Sequence, residues 1–126
     1  MQFVHLKTQG RLPTSSYNLL ADSGEVIGYA QLRHQPSQNA DLPPEAGNHA
    51  FYTIAEPHRG QGHGKELLHL VLMEARRIGL ERVRLTVMDD KPTSRHIVEG
   101  AGAILVGEFM SRTGERYRLF EIALRP

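Results

Sequence analysis

The stretch Ala50-Phe51-Tyr52-Thr53-Ile54-Ala55-Glu56-Pro57-His58-Arg59-Gly60-Gln61-Gly62-His63-Gly64-Lys65 decides the fold. Its first six residues are apolar or β-prone and read as the end of a strand over Asn48 to Ala55. A proline and three alternating glycines then punctuate the chain. Beyond them Leu67, Leu68, Val71, Leu72, Ala75 and Ile78 recur with a helical period, so one broad apolar face belongs to a helix over about 62–78. Arg76 and Arg77 suit its negative end, and Gly79 stops it. The glycines let the chain bend tightly and let a ligand approach the main chain. The first turn of a helix carries N–H groups with no partner, and its dipole favours negative charge. A strand, a glycine turn and a helix in this order form a cradle for phosphate.

Working outward, Tyr17 to Ala21 and Val26 to Arg33 read as a hairpin around the Asp22-Ser23-Gly24-Glu25 turn. Residues 1–15 resist a strand assignment: Phe3, Val4 and Leu6 begin one, but Gly10 and Pro13 interrupt it. Residues 34–47, with Pro36, Pro43, Pro44 and Gly47, read as a long loop of the kind that often carries function. Arg82 to Met88 alternates with a period of two and returns as a strand, so strand–helix–strand predicts a right-handed parallel crossover. Asp89-Asp90-Lys91-Pro92-Thr93-Ser94 offers an Asp or Ser/Thr cap and an early proline to a short helix ending near Gly100 or Gly102. Ala103 to Met110 and Arg116 to Leu124 form a last hairpin around Gly114. The expected fold class is α/β (α+β), with a mixed, mostly antiparallel sheet of about six strands and two helices.

At 126 residues the chain is expected to form one domain over 1–126. Hydrophobic content of 40% and charged content of 23% are those of a globular protein, not a disordered one. A net charge of +1 supplies no field for nucleic acid or an anionic membrane. Without cysteine there are no disulfides, thiolate metal sites or thiol nucleophiles. No apolar run is long enough for a membrane span, and no signal peptide is visible, so a cytoplasmic location is the expectation. The seven histidines show no metal-ligand spacing, so no metal is expected.

The glycine turn fails two common phosphate motifs. A Walker loop requires glycine where Arg59 stands and Ser or Thr where Glu66 stands, and the dinucleotide fingerprint would put its third glycine at Lys65. It does match R-x-x-G-x-G as Arg59-x-x-Gly62-x-Gly64, and in this the chain resembles the GNAT superfamily of acyl-CoA-dependent N-acetyltransferases. Asp90-Lys91-Pro92-Thr93-Ser94, followed by a short helix and Gly102-Ala103, is similar to that family's D-N-x-A-S segment. Gly47-Asn48-His49-Ala50-Phe51-Tyr52-Thr53-Ile54 looks like the G-G-H-I-G-Y-S-I strand of one uncharacterised bacterial branch. The resemblance runs over about 17–124. It departs from the family at Lys91, where Asn is usual, and at Val98, where many members place a Tyr that protonates the departing thiolate. The N-terminal strand and helix pair that help to wall the acceptor site in the family are expected to be short or missing.

The resemblance implies acetyl transfer from acetyl-CoA to a primary amine, on a small molecule or a peptide, within a ternary complex. It implies that backbone amides of Gly60, Gln61, Gly62, His63, Gly64 and Lys65 hold the pyrophosphate, with Arg59 and Lys65 side chains adding charge or lying in solvent. It also implies that the main chain at Ile54 and Ala55 pairs with the pantetheine arm and the acetyl oxygen. Ser94 either reaches the cofactor or caps its helix. The attacking amine must be neutral, which calls for a base. His49, near where the family often carries a catalytic Glu, is the first choice, because a near-neutral imidazole suits an amine proton; Glu56 is the alternative, and a hydrogen-bonded structural role is open to His49. Tyr52 and Tyr117 are candidate acids, or half-buried strand aromatics. Open sheet edges leave room for a homodimer. Two rival expectations are a non-catalytic acyl-CoA-binding or regulatory module, and a small α/β protein with an unrelated anionic ligand.

Overall fold

The computed structural model describes residues 1–9, 13–37 and 48–124. Seven strands and two helices follow in the order β1 Gln2–Gln9, β2 Thr14–Leu20, β3 Val26–Ser37, β4 Asn48–Ile54, α1 His63–Arg77, β5 Arg82–Met88, α2 Pro92–Gly100, β6 Ile104–Met110 and β7 Arg116–Ala123. A 3-10 turn, Glu56–His58, leads from β4 towards α1. The strands form two antiparallel sheets, β1-β2-β3-β4 and β5-β7-β6. The expected class holds, with two differences. There is one more strand, and β4 and β5 lie side by side across a seam without the backbone ladder that a single mixed sheet would carry there.

The extra strand is β1, and its packing explains why Gly10 and Pro13 do not abolish it. Phe3 stacks on Tyr17 of β2 with ring centroids 4.7 Å apart, and every residue of β1 but Leu6 has a partner on β2. Tertiary pairing overrides the weak local signal. The N-terminal strand is therefore present, whereas the four residues between Gln9 and Thr14 leave no length for a helix pair. β3 runs on to Ser37, into the segment expected as loop; residues 38–47 of that loop lie outside the described residues.

Alternation fixes the core. Tyr17, Leu19, Ala30, Leu32 and Ala50 face α1 from the first sheet, and Val83, Leu85, Phe120 and Ile122 meet them from the second. Leu67, Leu68, Val71, Leu72 and Ala75 complete the layer from α1, along the stripe its sequence predicts. Gly28 is glycine for lack of room: a Cβ there would lie 2.9 Å from both the Thr53 carbonyl oxygen and Ile54 Cδ1. The expected side-chain cap on α2 is not made; Lys91 occupies the cap position and Pro92 opens the helix. β6 is an outer strand with Ile104, Leu105 and Val106 exposed.

Candidate functional site

The seam between β4 and β5 organises the site. Ala55 donates its amide to the Ile27 carbonyl at 2.8 Å. In antiparallel register that bond makes Gly28–Ile54 a non-hydrogen-bonded pair, and Ala30–Tyr52 another. The peptide N–H and C=O groups of Tyr52 and Ile54 therefore point away from β3, towards β5, and no ladder satisfies them there. The Ile54 carbonyl accepts the Arg59 Nε at 2.9 Å, which folds that guanidinium back on the strand end. Ala55 is more committed, since its carbonyl also accepts from the His58 amide at 2.9 Å.

At one end of the seam lies the glycine turn. Gly60 and Gly62 have φ of 76° and 84°, a region that favours glycine. A Cβ on either would meet nothing within 4 Å, so the turn faces open space. Gly62 caps α1 without side-chain help, and the first chain carbonyl it offers goes to the Glu66 amide at 3.3 Å. Among the described residues the amides of Gly60, Gln61, Gly62, His63, Gly64 and Lys65 have no acceptor within the chain. These six amides stand at the start of a fifteen-residue helix, where backbone donors and the helix dipole suit an anion. Gln61 and Lys65 side chains are exposed beside it and His63 is half-buried. Glu56 is exposed in the 3-10 turn.

Tyr52 and Ile97 flank this end. The Tyr52 hydroxyl is buried with no hydrogen-bond partner, and burial pushes its pKa up to about 12, so it remains a proton-bearing donor. Its ring lies next to Gly64, where a Cβ would come within 4.0 Å of Tyr52 Cε2 and 3.0 Å of Ile97 Cδ1. Ser94 is half-buried at the third position of α2. Val98 is fully buried in the core. Tyr117 lies elsewhere, in a second cavity of about 270 Å³ beside Asp89, Glu108 and Arg118.

At the other end stands His49, about 20 Å along β4 from Ala55 at ~3.3 Å per residue. It is buried, and its Nδ1 accepts the Arg84 backbone N–H at 3.0 Å. Nε2 must then carry the ring hydrogen, so the neutral imidazole presents a donor. Burial first, then the Arg84 and Arg82 guanidinium groups, hold its pKa below the usual value. Asn48 makes a second stitch, accepting from Arg33 at 3.1 Å and donating to Thr86 Oγ1 at 3.1 Å. His49 opens on a cavity of about 320 Å³ lined also by His34, Gln35, Glu81, Arg82 and Arg84. The structure thus gathers Tyr52, Ile54 and the glycine turn at one end of the seam and sets His49 at the other; among the described residues no contact ties Ser94 to either end. Sequence reasoning missed Arg82 and Arg84; their spacing of two on an alternating strand was the available signal.

The chain is thus a two-sheet α+β domain in which a glycine turn and the start of α1 stand at the end of an unladdered seam. The chain belongs to the acetyltransferase (GNAT) family, whose sequence pattern matches residues 3–102. It is 30% identical over 105 residues to a mycothiol acetyltransferase of Streptomyces bingchenggensis (strain BCW-1), covering 82% of this chain and 30% of that protein. The chain thus spans about three-tenths of the length of that curated relative. Among solved structures, a Bordetella pertussis protein assigned to the GnaT family superposes with a TM-score of 0.72 at 23% identity, covering 87% of this chain and 66% of that one. The Salmonella typhimurium yncA structure, solved with acetyl-CoA, gives 0.69 at 19%, covering 90% and 65%. A Vibrio cholerae spermidine/spermine N-acetyltransferase gives 0.68 at 17%, covering 88% and 67%. At these identities the structural likeness establishes the fold.

Proposed function

We propose that the chain is an N-acetyltransferase that moves an acetyl group from acetyl-CoA to a primary amine in a ternary complex. The observation that carries this reading is the set of free amides from Gly60 to Lys65 at the mouth of a seam whose Ile54 and Tyr52 peptide groups face β5 unladdered. The turn amides hold the donor's pyrophosphate by hydrogen bonds and by the α1 dipole. The Ile54 peptide N–H, with no ladder partner, orients the pantetheine arm. The Tyr52 hydroxyl, buried and unpartnered, is the donor this end of the site offers to the thioester or the departing thiolate.

The amine nitrogen attacks the thioester carbonyl carbon, the C–S bond breaks, and the sulfur leaves as thiolate while the nitrogen's proton passes to solvent. A free base is not required if the amine already binds neutral. Burial first, and then the Arg84 and Arg82 charges, lower the His49 pKa, and those same charges disfavour a bound ammonium. His49 contributes as an Nε2–H donor held in place by the Arg84 amide.

Calorimetric titration with acetyl-CoA, with ATP and NAD as controls, tests the reading. Selective binding near 1 μM corresponds to about −8 kcal/mol; equal binding of the three ligands, or none, refutes it. A second reading, an acyl-CoA-binding module without turnover, is favoured by one observation: Arg84 occupies the imidazole nitrogen a base would use. Release of free CoA with an amine panel separates the two. The exposed outer strand β6 supports a homodimer built on that edge, checked by sedimentation of the chain and of Leu105→Lys.

A further inference from the structure

The cavity beside His49 says what kind of amine would enter. Among the described residues its lining is rich in donors, Arg82, Arg84, the His49 Nε2–H and the Gln35 amide, with Glu81 as the one carboxylate. The nearby Glu121 is already spent. Its Oε2 accepts Arg84 Nε at 3.1 Å, and its Oε1 lies 3.8 Å from Arg82 Nη1. Among the described residues one carboxylate, Glu121, is shared by two guanidinium groups that bring ten N–H donors between them at five each, more than its two oxygens can accept. Arg82 is 61% exposed, free to swing towards one. The field at the His49 ring has the same sign, because both arginines outweigh Glu121 there. A polycationic acceptor would meet like charge.

We propose that the acceptor is an amine that also bears a carboxylate, held by Arg82 and Arg84 in this cavity so that its nitrogen points along the β4–β5 seam. The carboxylate accepts guanidinium N–H groups, a geometry suited to paired hydrogen bonds. This rests on the transferase reading above, and it adds the substrate class: amino acids and ω-amino acids over simple amines and polyamines.

The experiment measures CoA release and equilibrium binding, with acetyl-CoA or CoA present, for 4-aminobutanoate, glycine, butylamine, O-phosphoethanolamine and spermidine. We expect kcat/KM and affinity for the carboxylated amines to exceed those for butylamine and spermidine at least tenfold. Arg82→Gln should raise KM for the carboxylated amines about tenfold, leave acetyl-CoA affinity unchanged, and erase the preference; Arg82→Lys should restore part of it. Equal or better use of butylamine or spermidine overturns the proposal while leaving the transferase reading intact. A preference for O-phosphoethanolamine over both carboxylated amines overturns it in favour of a phosphate-bearing acceptor. A carboxylate preference that survives Arg82→Gln and Arg84→Gln overturns the cavity assignment. Failure of acetyl-CoA to bind sinks the transferase reading itself, and the proposal with it.

Discussion

Replacing Tyr52 by Phe should make the free protein more stable and the enzyme slower. The hydroxyl is buried with no partner, and such a group costs ~1–3 kcal/mol when left unsatisfied. Phenylalanine keeps the ring packing and removes that cost, so a gain of about 1 kcal/mol at pH 8 is expected. The pH dependence follows from the pKa, raised from 10.0 to about 12 by burial. A raised pKa means that the folded state holds its proton where the unfolded state has lost it. Stability from this group is therefore complete below pH 10 and declines as pH rises from 10 through 12. At pH 11 the parent protein should have lost ~1.4 kcal/mol from this residue alone, from the unit by which the unfolded group is already titrated. The Phe variant loses none of it, while the other tyrosines cancel in the comparison. Urea denaturation followed by far-UV circular dichroism at pH 8 and pH 11 should show an advantage of about 1 kcal/mol growing to about 2.4 kcal/mol. Turnover should fall with acetyl-CoA affinity nearly unchanged. A Phe variant that is less stable at pH 8, with a gap that does not widen at pH 11, would refute the assignment of an orphan donor.

Gly62→Glu puts a carboxylate among the free amides, and a Cβ there meets open space; the strain of φ 84° costs ~1–2 kcal/mol, so the variant should fold and lose acetyl-CoA binding by calorimetry. His49 has its folded pKa depressed, so stability from its neutral form is present above about 6.5 and lost as pH falls through the folded value. Thermal melts from pH 8 to pH 4.5 should show a decline that His49→Gln shallows, and an unchanged slope would remove His49 as its source. Gly28→Ala sets a Cβ against the Thr53 carbonyl and Ile54, with a cost of ~1–3 kcal/mol expected from overpacking; a denaturation midpoint equal to the parent's would show that α1 and β4 yield there.

The elements that local chemistry specifies were legible. The α1 stripe, the Gly79 stop, the β5 alternation and the last hairpin stand where periodicity and turn residues put them. The strand β1 was not, because its support is the Phe3–Tyr17 stack, a contact between segments that the sequence does not pair. The cap on α2 was misjudged for a related reason: several side chains suited to capping stand before it, but the backbone turns into the helix at Lys91–Pro92. At the site, the glycine turn could be read from φ requirements and spacing alone. The environment of His49 could not, since its Arg84 partner is 35 residues away and binds through a backbone amide that carries no side-chain signature. Nor does any motif reveal that the Tyr52 hydroxyl is left without a partner; that is a property of the packed interior.

The two sheets meet at side chains, Asn48 on Thr86 and His49 on the Arg84 amide. Ladder spacing is the same for any sequence, about 4.8 Å, whereas a stitch made by residues is as long as those residues. The width of the crevice is therefore a heritable quantity, set at a few codons and adjustable without disturbing a single strand. In this chain that spacing rests on the side chains at 48 and 49.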